Sequence, residues 1–393
     1  MTANPDEHLE ELLGEDPLAI LGRESSTYDR EAGGLDEVVL FGVGVLGRQT
    51  LAGLRKLGVQ PLAFCDNDAR RWNTEVDGLM VLSPAEAAQR FGRRAVFVLT
   101  IWRDAGGHPL EQITRQMLAI GEVKVVSVAV LFWKYPGTFL PYFCLDLPHK
   151  TLARSEEVRK CLGLWADDRS RREFVAQIRW RLWMDFQGLS PRVPWKPYLP
   201  DELFRLAGNE VVVDCGAFDG DTLRDFLSER GTDFKHYFAI EPDPVNFEKI
   251  ARFLDSRDPG IRDKITPLCL ALSSGSGTLR FDASGTAQSS LSASGGVAVR
   301  ASGIDGLFER SPPTYIKMDI EGAEEEALRG AENTIRNAAP VLAISVYHRF
   351  DDLWKLPVLI HSFSESYRFH LRPQADAFWD LVCYAVPHHR SLD

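Results

Sequence analysis

The 393-residue chain lacks the cysteine pattern of a metal-thiolate or disulfide-stabilised domain. Its six cysteines, at positions 65, 144, 161, 215, 269 and 383, are scattered singly and form no Cys-x-x-Cys pair. Zinc-thiolate sites and small secreted folds need closely spaced cysteines. We therefore expect free thiols in a reducing compartment.

Long apolar runs are also missing. A membrane-spanning helix needs roughly 18 consecutive apolar residues, and the most apolar candidate, residues 128–147, is interrupted by Lys134, Pro136 and Pro141. The N-terminal stretch MTANPDEHLEELLGEDP is acidic and polar, unlike a secretory signal peptide. The sequence predicts a cytoplasmic protein without a membrane span.

There is no excess of basic residues, since 45 Lys and Arg stand against 56 Asp and Glu and give a formal net charge of −11. Nucleic acids and anionic membrane surfaces favour basic partners, so we expect neither. What is present is an ordinary globular composition, 45% hydrophobic and 26% charged. A chain of this length predicts more than one domain.

The pattern of apolar residues divides the chain into four parts. Residues 1–35 read as a flexible N-terminus or a short helix, 36–130 as a small Rossmann-like domain, 131–205 as a helical, aromatic-rich connector and 206–393 as a second α/β domain. Short apolar runs alternate with helical spacing in both α/β parts, which predicts parallel sheets covered by helices. The candidate strands are 38–41, 61–65, 95–100, 123–130, 210–214, 237–241, 265–272, 315–319, 341–346, 367–371 and 381–386.

In the second α/β domain, five strand–helix units are followed by two more strand-like runs. This order predicts the seven-stranded sheet of a class I methyltransferase, whose final strand is antiparallel. Open α/β sheets bind ligands at the carboxyl ends of their strands. The residues that follow each strand are therefore the candidates for binding and catalysis.

The first strand of this domain runs into VVVDCGAFDGDT. Its DxGxxxG spacing differs from the dinucleotide GxGxxG and favours a methyl-donor loop, although a purely structural tight turn is the alternative. Glu241 ends the second strand, where a carboxylate can accept both hydroxyls of a ribose. Asn246 binds the cofactor or caps the next helix. The candidate cofactor residues are Asp214, Gly216, Ala217, Gly220, Thr222, Glu241, Pro242, Asn246, Ser273 and Asp319.

The fourth strand runs into IKMDIEGAEEEAL, where Lys317, Asp319 and Glu321 alternate along the chain. Two-residue periodicity places such residues on one side of a strand. His348 follows the fifth strand and joins them as a candidate catalytic residue. The alternative is a lysine–carboxylate ion pair together with acidic residues that stabilise a helix N-terminus.

The series VVVDCGAFDGDT, AIEPD, ALSSGSGTLRF, YIKMDIEGAEEEALRGAENTI and ISVYHRFDDLW resembles the FkbM family of methyltransferases. The resemblance implies a class I fold, S-adenosyl-L-methionine as methyl donor, and a hydroxyl acceptor on a sugar, a glycan or a related natural product. Two departures stand out. Phe218 and Asp219 occupy a part of the first loop where many relatives carry Asn, and LRPQADAFWD after His370 is less polar than expected.

For O-methylation, His348 or Asp319 is expected to act as the base, and Lys317 to steady the site. Asp319, Glu321 and His348 also form a candidate set for a divalent metal such as Mg²⁺ or Ca²⁺. Neither the presence of a metal, nor the oligomeric state, nor the identity of the acceptor follows from the sequence.

The N-terminal α/β part carries its own motif, LFGVGVLG, which places Gly42, Gly44 and Gly47 in GxGxxG spacing between a strand and a helix. Asp66 ends the next strand, at the position expected of a ribose-binding carboxylate. The stretch that follows resembles the nucleotide-sugar-binding domain of bacterial sugar acyltransferases. A nucleotide or nucleotide-sugar site, an NAD site and a vestigial scaffold all remain open.

Two other functions follow from that motif. One is an NAD-dependent oxidoreductase or epimerase, which would need a Tyr-x-x-x-Lys or His/Asp set that is not evident in the sequence. The other is a non-catalytic nucleotide-sugar-binding protein. The methyl-donor motifs of the second domain favour the methyltransferase.

Overall fold

The computed structural model describes residues 4–101, 109–186, 188–190, 196–282, 290–291, 296–374 and 380–392. The chain forms two compact units. The first consists of Met1–Ser155, Ala176–Leu189 and Asp376–Trp379, and the second of Glu156–Val175, Ser190–Ala375 and Asp380–Asp393. In the part of the chain that the structure describes, no helix is long and apolar enough to cross a membrane.

The first unit is a helix-covered sheet of six strands. Its strands are β1 (Glu37–Phe41), β2 (Ala63–Cys65), β3 (Glu75–Val76), β4 (Leu79–Leu82), β5 (Ala95–Leu99) and β6 (Lys124–Ser127). Its helices are α1 (Pro5–Leu13), α2 (Pro17–Ala32), α3 (Val45–Lys56), α4 (Pro84–Phe91), α5 (Pro109–Ile120), α6 (Val128–Lys134), α7 (Pro136–Phe139) and α8 (Pro148–Leu152), with a 3₁₀ turn at Ala69–Arg71.

The strand order of this sheet is β3-β4-β2-β1-β5-β6, and only β3 runs antiparallel to its neighbour. Strands β1 and β5 each have a neighbouring strand on both sides and are buried over almost their whole length. This burial on both faces explains why they appear in the sequence as continuous apolar runs. The α/β architecture predicted for this part is confirmed.

Two segments of the first unit differ in detail from the predicted pattern. The run 123–130 is a strand only as far as Ser127, whose hydroxyl caps α6 by accepting from the N–H of Ala129. Helices α1 and α2 fill most of residues 1–35, the segment predicted to be flexible. Each begins with a capping Asn or Asp followed by proline, a start signal that the polar composition obscures.

The second unit contains most of the remaining elements. Its helices are α9 (Ser155–Leu162), α10 (Asp168–Trp183), α11 (Asp221–Arg230), α12 (Pro244–Asp255), α13 (Pro259–Arg262), α14 (Ile304–Leu307), α15 (Glu324–Arg329), α16 (Glu332–Ala338) and α17 (Asp352–Phe363), of which α10 ends in the first unit. Its strands are β7 (Val211–Cys215), β8 (His236–Ile240), β9 (Ile265–Leu268), β10 (Ala271–Leu272), β11 (Gly277–Asp282), β12 (Ser290–Leu291), β13 (Val297–Ser302), β14 (Tyr315–Met318), β15 (Val341–Ser345), β16 (Tyr367–Pro373) and β17 (Leu381–Pro387).

Seven of these strands form one sheet in the order β16-β17-β15-β14-β7-β8-β9. Strand β17 runs antiparallel to both of its neighbours, and the other pairs are parallel. This is the predicted class I methyltransferase sheet with its antiparallel final strand. Strands β7 and β14 are adjacent at its centre, so the residues that follow them meet at one edge.

The predicted strand 265–272 is two strands in two different sheets. Residues Ile265–Leu268 pair with β8 in the large sheet, whereas Ala271–Leu272 pairs with β13 in a separate sheet of order β10-β13-β11-β12. Between them the N–H of Leu270 donates to the carbonyl of Leu268, which marks the turn. Periodicity could not separate them because both pieces are apolar. Of the Gly/Ser stretch 284–296, only residues 290, 291 and 296 are described.

Candidate active site

The loop after β7 approaches the loop after β14 so closely that a side chain at Gly216 is excluded. Gly216 has φ of +79°, and a Cβ there would lie 1.9 Å from the carbonyl oxygen of Asp319. Gly220, with φ of +86°, immediately precedes α11. Left-handed φ values are accessible to glycine at little cost. The backbone conformation at both glycines of the DxGxxxG motif therefore favours glycine over other residues.

Glu241 is fixed at the end of β8 by two backbone donors. Its Oε2 accepts from the N–H of Phe218, in the first loop, at 2.9 Å, and its Oε1 accepts from the N–H of Asp243 at 2.9 Å. The residue is only 5% exposed. Burial raises the pKa of Glu241 to about 7, although the two N–H donors favour the ionised form. Each oxygen retains acceptor capacity for a ligand hydroxyl.

Asp214 and Lys317 form a buried ion pair beneath the first loop. The Nζ atom of Lys317 lies 3.0 Å from Oδ1 of Asp214, and the hydroxyl of Tyr237 donates to Oδ2 of Asp214 at 2.7 Å. Lys317 also donates to the carbonyl of Gly216 at 2.7 Å. Burial opposes the charge on Lys317, but Asp214 and other nearby carboxylates raise its pKa above the usual value. The pair thus holds the first loop against β14.

Asp319 stands at the centre of a cluster of hydrogen-bond donors. The hydroxyl of Tyr198 donates to its Oδ2 at 2.9 Å, and the hydroxyl of Tyr347 donates to its Oδ1 at 3.2 Å. The Nε2 atom of His348 lies 3.2 Å from the same Oδ1. Burial opposes ionisation, but His348 and the other donors lower the pKa of Asp319 below its ordinary value. Asp319 is therefore ionised at neutral pH.

His348 is surrounded by carboxylates. Its Nδ1 atom lies 2.8 Å from Oε1 of Glu324, and its Nε2 atom faces Asp319 and, at 3.8 Å, Oε1 of Glu321. Burial alone would lower the pKa of His348, yet Glu324 and Asp319 raise it well above the ordinary value. The raised pKa favours an imidazolium, which hydrogen-bonds to Glu324 through Nδ1 and forms an ion pair with Asp319 on the Nε2 side. The ring cannot accept a proton in that state.

A further acidic residue, Asp352 at the start of α17, interacts electrostatically with Glu324 and His348. Its Oδ2 accepts from the N–H of Arg349 at 2.7 Å. Burial and the neighbouring Glu324 raise the pKa of Asp352 to about 8. Asp352 is thus largely protonated at neutral pH, which limits the negative charge packed around His348.

Asp319, Glu321 and His348, the candidate metal set, do come together. Even so, the residues that the structure describes contain no group of three or more His, Cys, Asp or Glu side chains placed to hold a metal ion. Glu324 lies against Nδ1 of His348, and Asp319 lies 3.2 Å from its Nε2 atom. The geometry fits an ion-paired imidazolium.

The remaining predicted cofactor residues lie at or near the same strand ends. Ala217 is fully buried in the core, and Thr222 lies in the first turn of α11. Pro242 precedes Asp243, which caps α12 by accepting from the N–H groups of Val245 and Asn246. The suggestion that Asn246 caps this helix is therefore wrong; Asn246 is buried and accepts from Lys249. Ser273 follows β10, and its N–H donates to Ser302.

Three residues around the cluster escaped sequence reasoning. Tyr347 immediately precedes His348, and its place just after a predicted strand was a signal that could have identified it. Glu324 lies in the acidic run after β14, where its partner is visible only in three dimensions. Tyr198 comes from the segment before β7, and its ring also faces Lys317, with Nζ 5.2 Å from the ring centroid. Nothing in the local sequence signals that position.

In the first unit, Gly42 and Gly44 lie between β1 and α3, Gly47 lies in the first turn of α3, and Asp66 directly follows β2. The structure thus places the second motif at the carboxyl ends of two adjacent parallel strands, as the spacing predicts.

The second unit matches known methyltransferases. The family described as "Methyltransferase FkbM domain" matches residues 214–371, which confirms the resemblance predicted from the motifs. The hexuronic acid methyltransferase AglP of Haloferax volcanii is 33% identical over 106 residues, a match that covers 25% of this chain and 43% of that protein. The chain thus spans less than half the length of this curated relative.

A solved structure is similar over nearly the whole chain. It is the methyltransferase FkbM from Methylobacillus flagellatus, with a TM-score of 0.74 and 22% sequence identity, covering 94% of this chain and 100% of that one. At this identity the likeness establishes the fold.

Proposed function

We propose that the chain is an S-adenosyl-L-methionine-dependent O-methyltransferase that acts on a hydroxyl of a sugar residue. The observation that carries the proposal is Glu241, a buried carboxylate held by backbone N–H groups at the end of the second strand of a class I sheet. The matched family domain covers this carboxylate, the first loop, Asp319 and His348.

The residues present fit the methyl donor. Gly216 lets the first loop pack against the loop after β14, and beside this loop Glu241 can accept hydrogen bonds from the two ribose hydroxyls. The bound donor supplies a methyl group already activated on a sulfonium. What remains for the protein is to orient the acceptor and to accept its proton.

Asp319 is the proposed proton acceptor. As the acceptor oxygen gains a methyl group its proton becomes strongly acidic, so even a carboxylate of low basicity can take it. We assign this role to Asp319 rather than His348, because Glu324 and Asp319 raise the pKa of the imidazole; His348 instead pairs electrostatically with Asp319. Lys317 acts indirectly, by fixing Asp214 and the first loop.

Tyr198 and Tyr347 complete the proposed acceptor side. Both hydroxyls donate to Asp319, one to each carboxylate oxygen, and these hydrogen bonds fix the orientation of the carboxylate. Aromatic side chains also offer the flat apolar surface on which sugar rings commonly pack. A sugar hydroxyl beside Asp319 would meet an acceptor oxygen and two phenol groups within one cluster.

Hexuronic acid residues of a glycan are the first acceptor to test, because the relative AglP is described as a hexuronic acid methyltransferase. The protein is incubated with S-adenosyl-L-methionine and either hexuronic acid or neutral hexose oligosaccharides, and products are examined by mass spectrometry for the gain of one methyl group. Asp319→Asn should abolish the product while retaining the donor. Failure to methylate any sugar by protein that binds the donor would refute the sugar acceptor.

A further inference from the structure

The glycine loop of the first unit has the steric signature of a ligand-binding turn. Gly42 has φ of +113°, and a Cβ there would lie 2.6 Å from Cγ1 of Ile101; a Cβ at Gly47 would lie 2.0 Å from the carbonyl oxygen of Gly42. Both positions exclude a side chain. Gly44 is different, because among the described residues no atom lies within 4 Å of the position its Cβ would take.

Asp66 is held at this loop in the same manner as Glu241 in the second unit. Its Oδ2 accepts from the N–H of Val43, in the glycine loop, at 3.0 Å, and its Oδ1 accepts from the N–H of Asp68 at 2.9 Å. In Glu241 the donors are likewise a residue of the glycine loop and the residue two positions downstream. The two units thus build the same carboxylate geometry from different sequences.

The surroundings of Asp66 supply further features of a nucleotide site. Trp72 is 37% exposed and its indole N–H donates to the carbonyl of Asp66 at 2.7 Å, which places an aromatic ring beside the carboxylate. Helix α3 begins directly after Gly44, and no described side chain caps it. Its first N–H groups are therefore available to an anion such as a phosphate.

We propose that the first unit binds a nucleoside 5′-diphosphate with a free ribose diol. Asp66 accepts the 2′ and 3′ hydroxyls, the backbone at Gly44 and the start of α3 receives the diphosphate, and Trp72 offers a stacking surface to the base. A 2′-phosphate would be repelled by Asp66. A nucleoside diphosphate, a nucleotide sugar and NAD share this chemistry, and the test distinguishes them.

The test uses titration calorimetry of the full chain with UDP, ADP, UDP-glucose and NAD, and with the 2′-deoxy form of whichever nucleotide binds. At least one of the four is expected to bind, and loss of the 2′-hydroxyl should weaken binding on the order of tenfold, as for one hydrogen bond to a charged group. The tightest of the four identifies the ligand source.

Gly44→Glu blocks the site without straining the fold. The backbone at Gly44, with φ of −68°, suits any residue, and the new side chain enters open space at a helix start, where a carboxylate is favourable. It should abolish nucleotide binding without lowering the melting temperature. Gly22→Glu is the matched control, because Gly22 is an exposed helical position of the same unit that also faces open space, and it should bind as the unaltered chain does.

Three results would overturn the proposal: no binding of any of the four nucleotides, equal binding by Gly44→Glu, or equal affinity for the ribose and 2′-deoxyribose forms. If none of the four nucleotides binds, the first unit has only a structural role. Either of the other two results would place the nucleotide elsewhere in the chain.

Discussion

The Nε2 atom of His348 lies 3.2 Å from Oδ1 of Asp319. Because Glu324 contacts the other ring nitrogen, the pKa of His348 is raised well above its ordinary value despite burial. We expect nitrogen-15 NMR of the imidazole to show both nitrogens protonated at pH 7.5. A neutral ring at that pH would contradict the assignment and restore His348 as a candidate base.

The same ion pair makes stability depend on pH. A histidine whose pKa is raised on folding stabilises the native state fully below its unfolded pKa, near 6.5, and loses that contribution as pH rises through the folded value. The difference in melting temperature between the unaltered chain and His348→Gln should therefore be larger at pH 6 than at pH 9. If the difference in melting temperature were larger at pH 9 than at pH 6, the pKa of His348 would not be raised on folding.

Lys317 and Asp214 should show strong coupling in a double-mutant cycle. Lys317→Met leaves Asp214 buried without its cation, which costs about 3–5 kcal/mol of unfolding free energy. Adding Asp214→Asn removes the unpaired charge, so the double variant should be more stable than Lys317→Met alone. Urea unfolding of all four proteins measures this. Strictly additive effects would mean that the two residues do not interact.

Phe218 adopts φ of +49°, a left-handed conformation that costs a non-glycine residue roughly 1–2 kcal/mol. Asparagine tolerates this conformation better than phenylalanine does. Phe218→Asn should raise the melting temperature of the ligand-free protein. Phe218→Leu is the control, because it removes the ring and keeps the strain. If Phe218→Asn is no more stable than Phe218→Leu, backbone strain at residue 218 does not limit the stability of the protein.

The sequence predicted most of what depends on local pattern. Apolar runs located the central strands, and the antiparallel β17 followed from two closing runs after five strand–helix units. Glu241 and the glycines of the first loop could be selected as candidates because ligand-binding residues follow strand ends, and the structure places them there.

What the sequence could not predict depends on tertiary packing. The protonation state of His348 depends on Glu324, 24 residues away in the sequence. It also depends on the buried position of the ring, where each nitrogen faces a carboxylate. Tyr198 reaches Asp319 from 121 residues away. The division of 265–272 between two sheets involves two apolar pieces that look alike until their pairing partners are known.

Titration calorimetry with S-adenosyl-L-homocysteine, the demethylated form of the donor, tests the central claim most directly. Because burial raises the pKa of Glu241 to about 7, its carboxylate is mostly protonated at pH 6 and mostly ionised at pH 8. Affinity should therefore rise about tenfold over that range. Glu241→Gln should weaken binding on the order of 10–100-fold and remove the pH dependence. Glu248→Gln, at an exposed glutamate of the same unit, should change neither. Binding unaffected by Glu241→Gln, or no binding at all, would contradict the account.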